Sequence, residues 1–328
     1  MLSLHTCAVG QSEIPVDMSV DRLPPEIVWI DMHNATEHEI AFVERVTGVE
    51  IPTFADLSEI ETSSRLYNEN GTLYLSTPVV FRADSGEPIS TPLGFVLNKE
   101  RLITVRFEAL NVFKTVKLHT TKTEAFHQSS AGAFVGLIDA TVDRMADVLE
   151  RVGADLDKAS RRVFGGSEVG GRRPAHESDA LREILRQVAR DGDLASKIRD
   201  SLLGLARIVP YVSTVGSEWL PSEMKTRLKI SRQDISSLAD YDTHLSNKIQ
   251  FLLDATLGLI NIEQNQIIRV LTVVSVVGVP PTFVSSMYGM NFKFMPELEW
   301  TFGYPYALLL ILLSAVVPIL WFKLRGWL

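Results

Sequence analysis

Apolar positions fall in short runs through the first hundred residues, take up helical spacing near Gln128, and fuse into two uncharged stretches toward the end. Ile27 to Asp31 (IVWID) reads as a short strand. Thr36 and Glu39 make a capping box that opens a helix through Ala41, Phe42 and Val46 and stops at Gly48. Asn70-Gly71, between SSRLYNE and TLYLSTPVVF, is a two-residue hairpin signal. LGFVLN (Leu93 to Asn98) and RLITVRF (Arg101 to Phe107) add two strands around a Lys99-Glu100 turn. The pattern predicts an α+β domain over about residues 1–125, with a small, largely antiparallel sheet flanked by helices.

Residues 126–221 read as a helical hairpin. One stretch reaches Val163 and a second runs from Ser178 to about Ile208. Between them, GGSEVGGRRP (Gly165 to Pro174) has the glycines of a phosphate cradle. It lacks the Lys-Ser/Thr ending and the preceding strand, so it reads as a surface connection. From Ser222 to Val277 there is no proline. Ile235, Leu238, Asp242, Leu245, Ile249, Leu252, Thr256 and Leu259 fall at alternating steps of three and four, a heptad seam. The seam runs into the first uncharged stretch. A helix from Ser222 to Met290 would be a rod of ~100 Å, which requires partner helices. The polar members Asp242 and Thr256 point to an axis that is not dry.

The two uncharged stretches, Val270 to Phe292 and Trp300 to Phe322, are each 23 residues long. A helix needs about 20 apolar residues to cross a hydrocarbon layer of ~30 Å. Buried core helices are the alternative, but Trp300, Tyr304, Tyr306, Trp321 and Trp327 cluster at the ends, as interfacial aromatics do. The expected order is a stalk helix over 222–266, a first span over 267–290, a loop over 291–303, a second span over 304–322 and a basic tail over 323–328. Arg269, Lys323 and Arg325 outnumber Lys293, which places both chain ends in the cytoplasm. MLSLHTCAVGQSEIP has neither a basic start nor a long apolar run, so no signal peptide is expected. Pro280-Pro281 removes two backbone donors and is expected to bend or loosen the first span.

Composition narrows the chemistry. The 328 residues are 46% hydrophobic and 22% charged, which excludes wholesale disorder. A formal charge of −8 excludes a broad basic surface for nucleic acid and permits an affinity for cations. Cys7 is the only cysteine, so no intrachain disulfide or thiolate metal cage can form. G-x-G-x-x-G, a complete P-loop and H-E-x-x-H are all missing, and His33 and His38, five apart at a helix start, read as surface residues rather than zinc ligands. Neither an enzyme nor an organic cofactor is expected.

One segment is specific. Tyr288-Gly289-Met290-Asn291-Phe292 is followed by Met295-Pro296-Glu297-Leu298, then Trp300 and Gly303-Tyr304-Pro305, and the chain ends WFKLRGWL. With PTFADLSEIETSSRLY and RLITVRF upstream, the chain resembles the CorA family of divalent-cation channels from about Trp29 to Leu328. The resemblance implies a funnel-shaped homopentamer in the bacterial inner membrane that takes up Mg²⁺, and also Co²⁺ and Ni²⁺. First spans would line the pore and second spans would ring them. Gly289, Met290 and Asn291, with Tyr288, would form the outer mouth. There, Asn291 amides would bind a Mg²⁺ that keeps its water shell. Thr282, Val279, Leu271, Ile268 and Asn265 fall where the family lines its pore, Val279 and Ile268 standing where it often has methionine. Asp254 matches an acidic exit position, and Glu297 and Glu299 would concentrate cations outside.

Elementary chemistry agrees with that implication. Mg²⁺ dehydrates reluctantly, and amide oxygens can accept hydrogen bonds from its waters without trapping it. Asn291 also has a plainer role open to it as a helix C-cap. The family senses cytoplasmic Mg²⁺ at acidic sites between subunits. No motif marks them here: Asp84, Glu87, Asp234, Asp240 and Asp242 are candidates, and the regulatory site stays unassigned. Two other readings remain. One is a zinc transporter of the same superfamily, which Met290 disfavours. The other is a membrane-anchored sensor without transport, which Pro280-Pro281, Thr282 and Ser285 disfavour.

Overall fold

The computed structural model describes residues 1–6, 17–85, 87–119, 129–165, 174–291, 293 and 295–327. Cys7, Phe292, most of the glycine-rich connection and the expected boundary near residue 125 lie outside them. Two units result: Met1–Gly170 with Glu183–Leu253, and Gly171–Arg182 with Asp254–Leu328.

The first unit carries six strands, β1 (Leu2–Thr6), β2 (Ile27–His33), β3 (Leu66–Glu69), β4 (Thr72–Phe81), β5 (Ile89–Leu97) and β6 (Leu102–Arg106). Their order is β1-β2-β6-β5-β4-β3, and all pairs are antiparallel except β2–β6. Strand β1 was not expected from the sequence. Its five residues are all buried, but His5 and Thr6 hide it from an apolar count. Ser63, Ser64 and Arg65, read as strand, belong to the short helix α3 (Thr62–Arg65), which follows α1 (Glu37–Thr47) and α2 (Phe54–Ser58).

Local chemistry accounts for the boundaries. Thr36 N–H donates to Glu39 Oε2 (2.8 Å) while Glu39 N–H donates to Thr36 Oγ1 (3.3 Å), closing the capping box of α1. Asn70 and Gly71 take φ of 51° and 83°, the primed turn that joins β3 to β4. Pro78 pairs with Pro92 between two interior strands. On their outer sides, β3 pairs β4 no further than Leu75 and β6 pairs β5 only from Leu93, so neither β3 nor β6 needs a donor from these prolines. Beneath the sheet, Arg106 forks onto Asp31 through Nε and Nη2, both at 3.0 Å. Thr104 donates to the same carboxylate and Trp29 Nε1–H donates to Thr104. This buried charge pair is therefore compensated.

Helix α4 (Asn111–His119), also unforeseen, precedes α5 (Ser130–Phe164) and α6 (Pro174–Val215). Helix α6 is longer at both ends than expected and carries Pro210 inside. Helix α7 (Ser222–Tyr288) is a single run of 67 residues. Its seam is real: Ile235, Asp242, Leu245, Ile249, Leu252 and Thr256 are buried, and Leu238 and Leu259 are half-buried. Asp242 is met by the guanidinium of Arg199 on α6 (2.6 Å). Asp139 on α5 accepts from Arg227 and Ser231 on α7, and Asp157 on α5 accepts from Lys248 on α7 (2.6 Å).

In the second unit, α7 passes through Pro280-Pro281 without ending, so the expected loosening does not break it. The Thr282 hydroxyl donates to Gly278 O (2.8 Å) one turn back. A 3₁₀ turn, Pro296–Leu298, leads to α8 (Gly303–Leu324). Helices α7 and α8 are each long and apolar enough to cross a membrane.

Candidate functional site

The residues singled out in the sequence sit along and just beyond the end of α7. The helix closes at Tyr288, where Gly289 N–H donates to Ser285 O (3.0 Å) and Met290 N–H to Met287 O (3.3 Å). Gly289, Met290 and Asn291 are therefore the first residues after the helix, and all three are exposed. Asn291 is not among the residues with positive φ, so it does not serve as a left-handed helix cap.

The segment that follows is compact. Gly303 N–H donates to Trp300 O (2.9 Å), and the Trp300 and Tyr306 rings lie 5.6 Å apart. A Cβ at Gly303 would stand 2.0 Å from Glu297 O, so only glycine fits. Glu297 is half-buried in the 3₁₀ turn and Glu299 is exposed.

Down α7, successive residues turn by about 100°, which puts Thr282, Val279, Leu271, Ile268, Asn265 and Asp254 within an arc of about 120°. All six are exposed in the single chain; Val279, Leu271 and Ile268 are 63%, 66% and 60% exposed. Thr282 spends its hydroxyl proton on Gly278 O, which leaves its oxygen lone pairs as acceptors. The stripe therefore offers acceptor oxygen at Thr282, apolar surface at Val279, Leu271 and Ile268, an amide at Asn265 and a carboxylate at Asp254.

The acids considered for regulation divide. Asp84 accepts from Arg144 (2.6 Å) and from Arg151, and the Arg151 hydrogen bond leads in holding its carboxyl below the usual range. Asp242 is fully buried; burial pushes its carboxyl up, and Arg199 partly offsets this. Glu87, Asp234 and Asp240 are exposed. Among the described residues, no three His, Cys, Asp or Glu side chains converge to hold a metal.

Two acids escaped the sequence reading. Burial, helped by the charge of Asp155, pushes Asp191 on α6 up to about 6. Both carboxylate oxygens of Glu263 on α7 are buried without a hydrogen-bond partner among the described residues. Within NIEQNQ, an acid carries no signal that separates it from a solvated one.

Residues 25–324 match the family model described as CorA-like Mg²⁺ transporter protein. The magnesium transport protein CorA of Salmonella typhimurium is 31% identical over 303 residues, 92% of each chain. That of Escherichia coli is 32% identical over 301 residues, again 92% of each. Among solved structures, the complete CorA magnesium transporter of Methanocaldococcus jannaschii superposes with a TM-score of 0.71 at 15% identity. It covers 100% of this chain and 98% of its own. The α+β domain, the long helix and the C-terminal helix are thus those of a known architecture, and the chain belongs to the CorA-like Mg²⁺ transporter family.

Proposed function

We propose that this chain is the protomer of a channel that takes up Mg²⁺ across the bacterial inner membrane. The carrying observation is family membership over nearly the whole chain, together with relatives named as magnesium transport proteins. The exposed stripe of α7 supports it. Large apolar side chains such as Leu271 and Val279 stand bare in the single chain, and so do Leu312 and Val317 on α8. Lipid and further copies of the chain would cover them. A homopentamer with its α7 helices around one axis, and both termini in the cytoplasm, meets that need. Co²⁺ and Ni²⁺, hexahydrated ions of similar size, would follow the same route.

Conduction follows from the order of groups. Glu297 and Glu299 raise the cation concentration outside. The five Asn291 side chains accept hydrogen bonds from the ion's water shell, and no carboxylate holds the ion so tightly that it cannot leave. Rings of Thr282 and Asn265 repeat the acceptor chemistry. Leu271 and Ile268 form an apolar constriction that closes by dewetting, and Asp254 draws the ion out. Cytoplasmic Mg²⁺ bound at acidic groups between subunits would favour the closed state, and its loss the open one. The test is Mg²⁺ influx into liposomes holding the purified protein, with Zn²⁺ influx beside it. Mg²⁺ influx above protein-free vesicles is expected. No influx of either ion would leave a sensor without transport, and Zn²⁺ influx far above Mg²⁺ would make this a zinc transporter.

A further inference from the structure

Helix α8 ends in a turn that ties it to α7. Gly326, just past the helix, takes the left-handed backbone, φ 68°. Its N–H donates to Lys323 O (3.2 Å), and Trp327 N–H donates to Phe322 O (2.9 Å). These are the paired bonds of a Schellman ending, which favours a residue without Cβ at that place. The reversal lays Trp327 on Phe322, ring centroids 5.5 Å apart, and Trp321 meets Phe322 edge-on at 5.1 Å. Phe322, at the centre, is 2% exposed. The Arg269 guanidinium of α7 lies 5.7 Å from the Trp327 ring centroid, and that of Arg325 lies 5.5 Å from Trp321.

A position inside α7, at the start of its uncharged stretch, and the end of α8 thus bring Arg269 and Arg325 to one aromatic cluster, with Lys323 next to Phe322 in the chain. All three are exposed, and none has an ion-pair partner among the described residues. No acid occurs from Trp300 to Leu328, and Glu297 and Glu299 precede the opposite end of α8. Indole rings cover one face of each guanidinium and leave its N–H edge free for a forked acceptor. The adjoining flank of α8 is apolar and open, with Leu320 53% and Leu324 87% exposed.

We infer that Arg269, Lys323 and Arg325, with Trp321 and Trp327, form a binding site for the phosphodiester headgroup of an anionic phospholipid. The inference rests on reading α7 and α8 as membrane spans. A phosphodiester supplies two oxygens to the forked donors, and its acyl chains run along Leu320 and Leu324. A free phosphate offers the same oxygens but nothing for that apolar flank. The lipid would clasp the ends of the two spans from the membrane side.

Native mass spectrometry of the full-length protein, given equal phosphatidylglycerol and phosphatidylcholine, tests this. Phosphatidylglycerol adducts should dominate by at least about tenfold. Arg269→Gln with Arg325→Gln should weaken that preference about fivefold per charge, whereas Arg269→Lys with Arg325→Lys should keep most of it. Equal retention of the two lipids by the parent protein, or an undiminished preference in the glutamine pair, would overturn the site. Displacement of phosphatidylglycerol by millimolar inorganic phosphate would overturn the lipid assignment in favour of a free-anion site. Mg²⁺ influx into phosphatidylcholine vesicles, run on the same preparation, separates the two claims. Influx without lipid preference removes the lipid site alone, and lipid preference without influx supports the site while removing the channel.

Discussion

Arg199 on α6 donates its Nε–H to Oδ2 of Asp242 on α7 at 2.6 Å, and Asp242 is completely buried. The other carboxylate oxygen, Oδ1, has no hydrogen-bond partner among the described residues. The pair fixes α6 against α7 at one register, because a one-turn slip would strand the carboxylate. Arg199→Ala should therefore destabilise the protein by about 2–3 kcal/mol, somewhat less than a fully buried pair, since Arg199 is 45% exposed. Adding Asp242→Leu should recover most of that loss. Thermal unfolding of the full chain in detergent decides it: a double variant as unstable as Arg199→Ala would mean that something other than the stranded charge sets the cost.

Asp191 gives a stability change with a definite sign. Its folded pKa, about 6, is raised above the ordinary value by burial and by Asp155. A raised acid binds its proton more tightly in the folded state, so its contribution is fully present below about pH 4 and is lost as pH rises through about 6. Asp191→Asn should therefore stabilise the protein at pH 7.5, by roughly 1–2 kcal/mol after allowing for solvent, and make little difference at pH 4. Melting curves at the two pH values check this; equal shifts at both would show that titration is not the cause.

Asn291→Ala should abolish Mg²⁺ uptake while leaving the oligomer intact on size exclusion, because the water-shell acceptors at the mouth are removed. Asn291→Asp should keep binding and slow release, so that the current saturates at lower Mg²⁺. Undiminished flux in the alanine variant would displace the mouth from this residue.

Gly303→Ala places a methyl where Glu297 O already stands, at 2.0 Å. The connection must open, at about 1–3 kcal/mol, and the Glu297 carboxylate moves with it. Uptake at low external Mg²⁺ should fall severalfold and recover at high Mg²⁺. A flux curve identical to the parent's would show that this turn does not position the mouth.

Much of the fold could be read from local signals. The capping box of α1, the Asn70-Gly71 turn and the seam of α7 each rest on a few neighbouring side chains, and each stands where expected. What escaped depends on distant partners. Strand β1 exists because Ile27–His33 pairs with it: its five residues carry only two leucines, and all five are buried through that pairing. The parallel pairing of β2 with β6 joins segments some seventy residues apart. The residues proposed for the site were singled out because the spacing of their motif is distinctive. The states of Asp84, Asp191 and Asp242 were not, because arginines and burial on other helices set them.

The most direct test is Mg²⁺ influx into liposomes of the purified protein while internal Mg²⁺ is varied. Influx that is fast at low internal Mg²⁺ and falls as it rises is the predicted result, and it joins a conducting stripe on α7 to a gate on the cytoplasmic side. Influx indifferent to internal Mg²⁺ would contradict the gate, and no influx from verified oligomers would contradict the channel itself.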